Sequence, residues 1–449
     1  MDWLLEFNGT LNNFIWGPVM LVLLVGTGFY LTIRTNFFAI FKLRYVLKNT
    51  LFKMFEKGHE GAGEITPFQA VATALAATVG TGNIAGVATA IATGGPGAIF
   101  WMWLSALVGM TTKFAEVVLA VKYREVTPDG RFVGGPMYYI KNGMNNKWLA
   151  ATFAIFATLA SFGIGNLTQA NSVAASLQES FKVPPLATGV VLAVLTALVI
   201  LGGLKRIAQV TERLVPFMAL VYILGGGFIL IKNAGQIPHA FGLIFSGAFT
   251  PQAAAGGFAG ATMKMAIRRG MARGVFSNEA GLGSAPIAHA AATTDSAVRQ
   301  GLWGVFEVFI DTIVICSLTA LAIIASGVWN NGSTGAALTT QAFESTIPGG
   351  GYIVSIGIML FAFSTLIGWS YYGERSAEYL FGPKAITPYR IVFIPFIVIG
   401  AIGGLDVLWD IADTLNGFMA IPNLIAIIAL SGTVISMKKD FFEKELGKN

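Results

Sequence analysis

Two stretches carry groups able to hold a small charged solute inside an apolar surrounding. One is Ala76-Ala77-Thr78-Val79-Gly80-Thr81-Gly82-Asn83-Ile84-Ala85-Gly86, the other Phe276-Ser277-Asn278-Glu279-Ala280-Gly281-Leu282-Gly283-Ser284. Each clusters glycine with small polar residues in the middle of a long apolar run, which weakens helix. Unwound backbone persists in a bilayer only where protein buries it or where it lines a cavity. The chemistry on offer is that of bare peptide groups, with N–H donors at the start of a half-helix and carbonyl acceptors at the end of one. The two stretches lie about 200 residues apart, and each opens a set of five predicted helices. Five is odd, so the second set runs inverted. Interrupted helices at matching places of inverted halves mark the midplane site of a transporter. Two glycine-rich packing faces are the plain alternative.

Other side chains at membrane depth could also do chemistry. Lys113 and Glu116, three apart, are expected to neutralise one another; Glu307 and Asp311, four apart, could bind a cation or carry a proton. Asn166 and Gln169 share a helical face beside Gly163 and Gly165, and such a buried amide pair either touches the solute or glues helices. Glu279, inside the second stretch, could position that loop or coordinate charge. Lys264, Arg268, Arg269 and Arg273 crowd one span, and Asp406, Asp410 and Asp413 follow one face of the last, spaced four and three. The aspartate spacing faintly resembles motifs that hold magnesium and diphosphate, but no second copy occurs. There is no HExxH, and His59, His239 and His289 are scattered. Enzyme chemistry is not the expectation.

The elements that must position these residues are membrane helices. Of 449 residues 55% are hydrophobic and only 12% charged, about half the usual charged share of a soluble domain. Apolar runs of roughly 20 residues, each able to cross a bilayer, recur throughout. Eleven spans are predicted at 14–33, 67–93, 98–121, 149–178, 184–203, 214–231, 259–292, 300–326, 352–380, 389–403 and 407–436. With residues 34–65 placed inside, the inner segments carry 22 Lys and Arg and the outer ones two, Lys182 and Lys232. That split puts the N-terminus outside and the C-terminus in the cytoplasm. It also accounts for the net charge of +6 without nucleic acid. Asp2 and Glu6 precede the first apolar run with no basic segment, which argues against a cleaved signal. The single cysteine, Cys316, permits no intrachain disulfide. The expected division is 1–65 for an extra helix and cytoplasmic loop, 66–232 and 259–436 for two inverted repeats, 233–258 for an outer connection and 437–449 for a cytoplasmic tail.

Two blocks are recognisable. Gly94-Gly95-Pro96-Gly97-Ala98-Ile99-Phe100-Trp101-Met102-Trp103-Leu104-Ser105-Ala106-Leu107-Val108-Gly109 resembles the signature of the alanine/glycine:cation symporter family. The run from Ala272 through Ser284 to Ala290 resembles a second block of that family. The resemblance covers nearly the whole chain and implies the amino acid–polyamine–organocation superfamily. The implied fold class is an all-α membrane protein of about 11 transmembrane helices. It has the five-plus-five inverted repeat of bacterial leucine transporters, with two discontinuous helices and one extra N-terminal helix.

The resemblance also implies alanine or glycine as substrate, sodium as coupling ion, no organic cofactor, a lipid bilayer of the cell (inner) membrane as surroundings, and no obligate protein partner. Proton coupling is the serious alternative, and a channel the rival outside carriers. For the substrate zwitterion, backbone of Thr78, Gly80, Thr81 and Gly82 with the Asn83 amide is expected from the first break, and Phe276, Ser277 and Asn278 from the second. Gly165 with Asn166 or Gln169 would join them. Trp369 or Phe276 could cap a small pocket, although an ordinary core tryptophan fits Trp369 nearly as well. Carried over from the leucine-transporter group, Ser364 and Thr365 hydroxyls would surround sodium with the carbonyls of Ala76, Val79 and Phe361. Alternatively both hydroxyls bond back to their own helix. In related folds an outer gate closes where Arg269 or Arg273 would meet Asp410 or Asp413; a solvated vestibule lining is the other reading.

Overall fold

The computed structural model describes residues 2–54, 56, 60–249, 263–403 and 406–446, with side chains at 6–54, 56, 60–249, 263–403 and 411–444. Helices dominate it, and among the described residues the one sheet is a two-stranded hairpin, Glu125–Val126 against Phe132–Val133. Helices long and apolar enough to cross a membrane number eight among the described residues, or nine if a bent pair is one span. In chain order the membrane elements are α1 (Asp2–Ile15), α2 (Pro18–Arg34), α3 (Pro67–Thr78), α4 (Ala85–Gly94), α5 (Ala98–Lys122) and α6 (Lys147–Phe181). They continue with α7 (Pro185–Ile200), α8 (Gly203–Lys232), α9 (Met263–Asn278), α10 (Ala297–Ala325), α11 (Gly350–Phe381), α12 (Ile386–Ile402) and α13 (Asp406–Ala429).

Local sequence explains the boundaries that matter for the site. Thr66-Pro67-Phe68-Gln69 starts α3 with a capping box. Gln69 N–H donates to Thr66 Oγ1 (3.1 Å), Thr66 N–H donates to Gln69 Oε1 (3.0 Å), and Pro67 takes the first helical position. On α7 the residues Leu186, Val190, Val194 and Leu198 are exposed while Thr188, Leu192 and Thr196 are buried, so one apolar face turns to lipid. Two wide π turns interrupt otherwise straight spans, Gly163–Leu167 in α6 and Phe309–Cys316 in α10. Such turns often mark functional places. The broken elements α4 and α9 pack on α5, α5 packs on α10, and α6 lies between α11 and α13.

Several boundaries differ from expectation. The loop expected at 204–213 is the first three turns of α8, because Lys205, Arg206, Glu212 and Arg213 are good helix formers whose charges reach past the apolar part. The last span ends at Ala429, and a separate helix, Ser431–Leu446, follows where a tail was expected. Helices Ile237–Phe249 and Gly335–Thr346 lie outside the predicted spans. The seventh span is not one run to residue 292. Its helix stops at Asn278; Glu279, Gly281 and Gly283 then take positive φ (55°, 94° and 86°), and only a single turn, Pro286–His289, follows. Three left-handed residues in five cannot propagate a right-handed helix.

Candidate functional site

The first break is built from sequence-local bonds. Beyond Thr78 the chain leaves helix at Val79 (ψ 93°), extends at Gly80, makes a 3₁₀ turn over Thr81–Asn83 and restarts at Ala85, and the two halves are bent by 61°. Gly80 N–H, which would ordinarily reach the Ala76 carbonyl, donates to Asn83 Oδ1 at 2.8 Å. That frees the Ala76 carbonyl at membrane depth. Gly80 has to be glycine, because a Cβ there would stand 2.7 Å from Thr365 Oγ1.

The freed carbonyl meets α11. Ser364 Oγ lies 3.0 Å from the Ala76 carbonyl and 2.8 Å from the Phe361 carbonyl, and Thr365 Oγ1 donates to the same Phe361 oxygen at 2.9 Å. Both hydroxyls bond back to their own helix, and Ser364 also bridges to the break. Four of the five atoms expected around sodium converge, with Val79 as the residue where the helix unwinds. The donor set is entirely oxygen, as a hard cation requires. A cation among these atoms would turn the hydroxyl lone pairs inward and replace protons shared between carbonyls.

The second break ends a helix rather than bending one. Ala280, Gly281 and Leu282 N–H donate to Asn278 Oδ1 (3.0 Å), Glu116 Oε1 (3.0 Å) and the Glu279 carbonyl (3.1 Å). The carbonyls of Phe276, Ser277 and Asn278 therefore lose their helical partners. The breaks touch: a Cβ on Gly82 would lie 3.6 Å from the Phe276 ring and 3.7 Å from Ser277 Cα.

Between them is a small cavity of about 20 Å³, room for one water. Thr78, Gly80, Thr81, Gly82, Gln169, Phe276 and Trp369, all expected at the substrate, line it together with Thr365. Gln169 Oε1 accepts from Thr81 Oγ1 (3.4 Å), while its amide donates to the Ile164 carbonyl freed by the π turn (3.1 Å). Glu279 also lines the cavity; it accepts from the Trp369 indole N–H at 3.0 Å and from the Ser284 hydroxyl. A wider cavity of about 190 Å³, bordered by Asn171, Ser176, Glu179 and Thr340, shares Thr81 as a wall.

Five expected substrate residues sit outside that lining. Asn83 is fully buried and donates to Asp311 Oδ1 (2.7 Å), since its oxygen is already committed to Gly80. Ser277 donates to Asp311 Oδ2 (2.9 Å) and Asn278 to Thr312 Oγ1 (3.1 Å). Asn166 donates to the Phe393 carbonyl at 2.7 Å, which is helix glue, and Gly165 gives Trp369 the space it packs into. Asp311 is thereby joined to both breaks.

The ionisable pairs are also rearranged. Lys113 Nζ lies 3.4 Å from Glu307, not against Glu116, and Glu307 takes His289 Nε2 at 3.1 Å. Glu116 accepts from Gly281 N–H and Asn423 Nδ2 (2.6 Å). Asp311 parts from Glu307 because the π turn starting at Phe309 shifts the helical register between them. Of the expected gate, Arg273 stacks on the Phe276 ring at 5.4 Å and Asp413 accepts from Asn12 (3.0 Å). Arg269 lines the tight approach of α9 to Gly94, and the Asp410 side chain lies outside the described residues.

Sequence reasoning missed Ala77, Ile164 and Asn416 in the cavity lining. Asn416 had a signal, for it continues the face of Asp406, Asp410 and Asp413 by three residues.

Two interrupted helices around a small polar cavity define a secondary transporter of the leucine-transporter fold. The solved structure of MhsT in complex with L-phenylalanine is similar at a TM-score of 0.58 and 15% identity, covering 83% of this chain and 90% of that one. The Sodium:alanine symporter family model matches residues 1–449. The sodium/alanine symporter AgcS of Methanococcus maripaludis is 53% identical over 98% of this chain and 97% of its own. A Bacillus subtilis protein, "Probable sodium/glutamine symporter GlnT", is 41% identical over 98% and 91%. The chain belongs to the sodium:alanine symporter family. It is a multi-pass membrane transporter and not an enzyme.

Proposed function

We propose that this protein is a sodium-coupled symporter of small neutral amino acids, alanine and glycine, working by alternating access in the cell membrane. The observation that carries the sodium reading is the oxygen cluster of Ala76, Phe361, Ser364 and Thr365 at the first break. Val79 would complete it. The substrate carboxylate would meet the N–H groups of the Thr81–Gly82 turn. Its ammonium would meet the carbonyls of Thr78 and Phe276, with the Gln169 oxygen alongside. A tight lining of Gly80, Gly82 and Trp369 favours hydrogen or methyl as the side chain. The same-family match to AgcS supports alanine and sodium.

In this reading residues 66–232 and 259–436 are the inverted repeats, residues 1–65 are the added helix and loop, and the N-terminus faces outside. The test is uptake of labelled alanine by protein in liposomes. Accumulation should follow an inward sodium gradient and cease when potassium replaces sodium at fixed pH. Uptake that ignores sodium but follows a proton gradient would overturn the coupling.

That second reading has its own observation. Asp311 is a fully buried carboxylate held by Asn83, Ser277 and Thr312, with no Lys, Arg or His ion pair among the described residues. A second cation or a proton would serve there equally.

A further inference from the structure

The leucine-transporter core needs ten spans, yet this chain begins with an added helix that reaches the gate. α1, which supplies the first part of the added span Glu6–Arg34, is no ordinary lipid-facing helix. It carries Asn8, Asn12 and Asn13, and Asn8 is buried. Asn12 Nδ2 donates to Asp413 Oδ2 at 3.0 Å and to Thr414 Oγ1 at 3.1 Å. One turn on, Trp16 Nε1 donates to the Asp413 carbonyl at 3.1 Å, and its ring meets Phe276 edge-on with centroids 6.5 Å apart. Ile15 between them is fully buried, and it occupies the space in which a side chain on Gly417 would stand. The end of α1 therefore holds α13 by a carboxylate and a carbonyl of one residue, and α9 by the aromatic residue that lines the cavity. These are the two elements that must separate if solute is to enter between them.

We propose that Asn12 and Trp16 are positioning residues of the outer gate. The added helix is a latch that favours the closed arrangement of Phe276 and Asp413, and its release is part of opening. This rests on the reading of α9 and α13 as that gate, and it is an addition to it, because the latch lies outside the repeat.

Asn12→Ala and Trp16→Phe, the latter keeping the ring but losing the N–H, test it by hydrogen exchange of the full chain in lipid nanodiscs. Both should raise exchange of peptides covering 263–278 and 411–420 by roughly two- to ten-fold, the range one hydrogen bond carries. Peptides covering 286–302 should stay unchanged. Asn12→Gln should restore protection. If the latch acts through Asp413, Asn12→Ala should add less to Asp413→Ala than it does alone. Unchanged exchange in both single variants, or full additivity with Asp413→Ala, overturns the latch. Exchange needs no substrate, so it stands apart from the transport reading: wild-type protein that fails to take up alanine sinks that reading and leaves this result to be judged alone.

Discussion

Thr365 bears on the cavity twice. Its hydroxyl bonds the Phe361 carbonyl, and its oxygen fills the space that a Cβ on Gly80 would need. Thr365→Val keeps the shape and removes the oxygen. If sodium sits there, its half-saturation in uptake should rise roughly ten-fold, the equivalent of about 1.4 kcal/mol. An unchanged sodium dependence would remove Thr365 from the ion site. Asn166 makes the opposite case. Asn166→Ala removes the side-chain bond to the Phe393 carbonyl and should cost about 0.5–1.5 kcal/mol of stability, read as a lower melting temperature, while the alanine KM stays put. A shifted KM would return Asn166 to the substrate. Gly165→Ala collides with Trp369; overpacking of about 1–3 kcal/mol and a narrowed cavity should both follow, measured as lower melting temperature and lost alanine binding. Sequence named these residues but could not divide them. Asn83, Asn166 and Gln169 are equally polar at equal depth, and only the direction of each amide distinguishes a lining from a brace.

At the level of elements, both breaks were legible because glycine and small polar residues have no other reason to cluster in an apolar run. What the pattern hid was their inequality. The first is a bend between two real helices, since Asn83 caps Gly80 and the chain can restart. The second is a stop, since Glu279, Gly281 and Gly283 are left-handed. Positive φ at Glu279 is unusual for a non-glycine residue, and its Trp369 and Ser284 partners supply the hold. The π turn in α10 was likewise invisible, because periodicity alone set Glu307 and Asp311 on one face. Asp311→Asn removes the charge shared by the two breaks. Coupled accumulation of alanine should fall to the uncoupled level while alanine binding persists; full accumulation would exclude Asp311 from coupling.

Across the whole molecule, the end opposite α1 is tied by charge. Arg131 on the hairpin reaches Glu378 at the end of α11 (2.8 Å), Arg375 contacts Glu374 (2.9 Å) and Glu378, and Arg390 holds Glu374 (2.5 Å). Arg124 donates to the carbonyls of Ala62, Ala290 and Ala292. These groups were visible in sequence only as loop charges that set orientation. The hydrogen bond from Arg131 holds the exposed Asp129 carboxyl down to about 2. A depressed carboxylate keeps its contribution above the ordinary range and loses it only as pH falls towards that value, so the hairpin is constant between pH 5 and 8. Any pH dependence of uptake in that window should therefore survive Asp129→Asn, as uptake in liposomes at stepped pH would show.

Thr81 has a consequence of its own as a wall common to both cavities. Thr81 is the one residue that these two linings share. Water and small reagents should thus reach the small cavity by way of the wider one first. A membrane-impermeant thiol reagent should label Thr81→Cys, on a Cys316→Ser background, when added to intact cells, and substrate should slow the labelling.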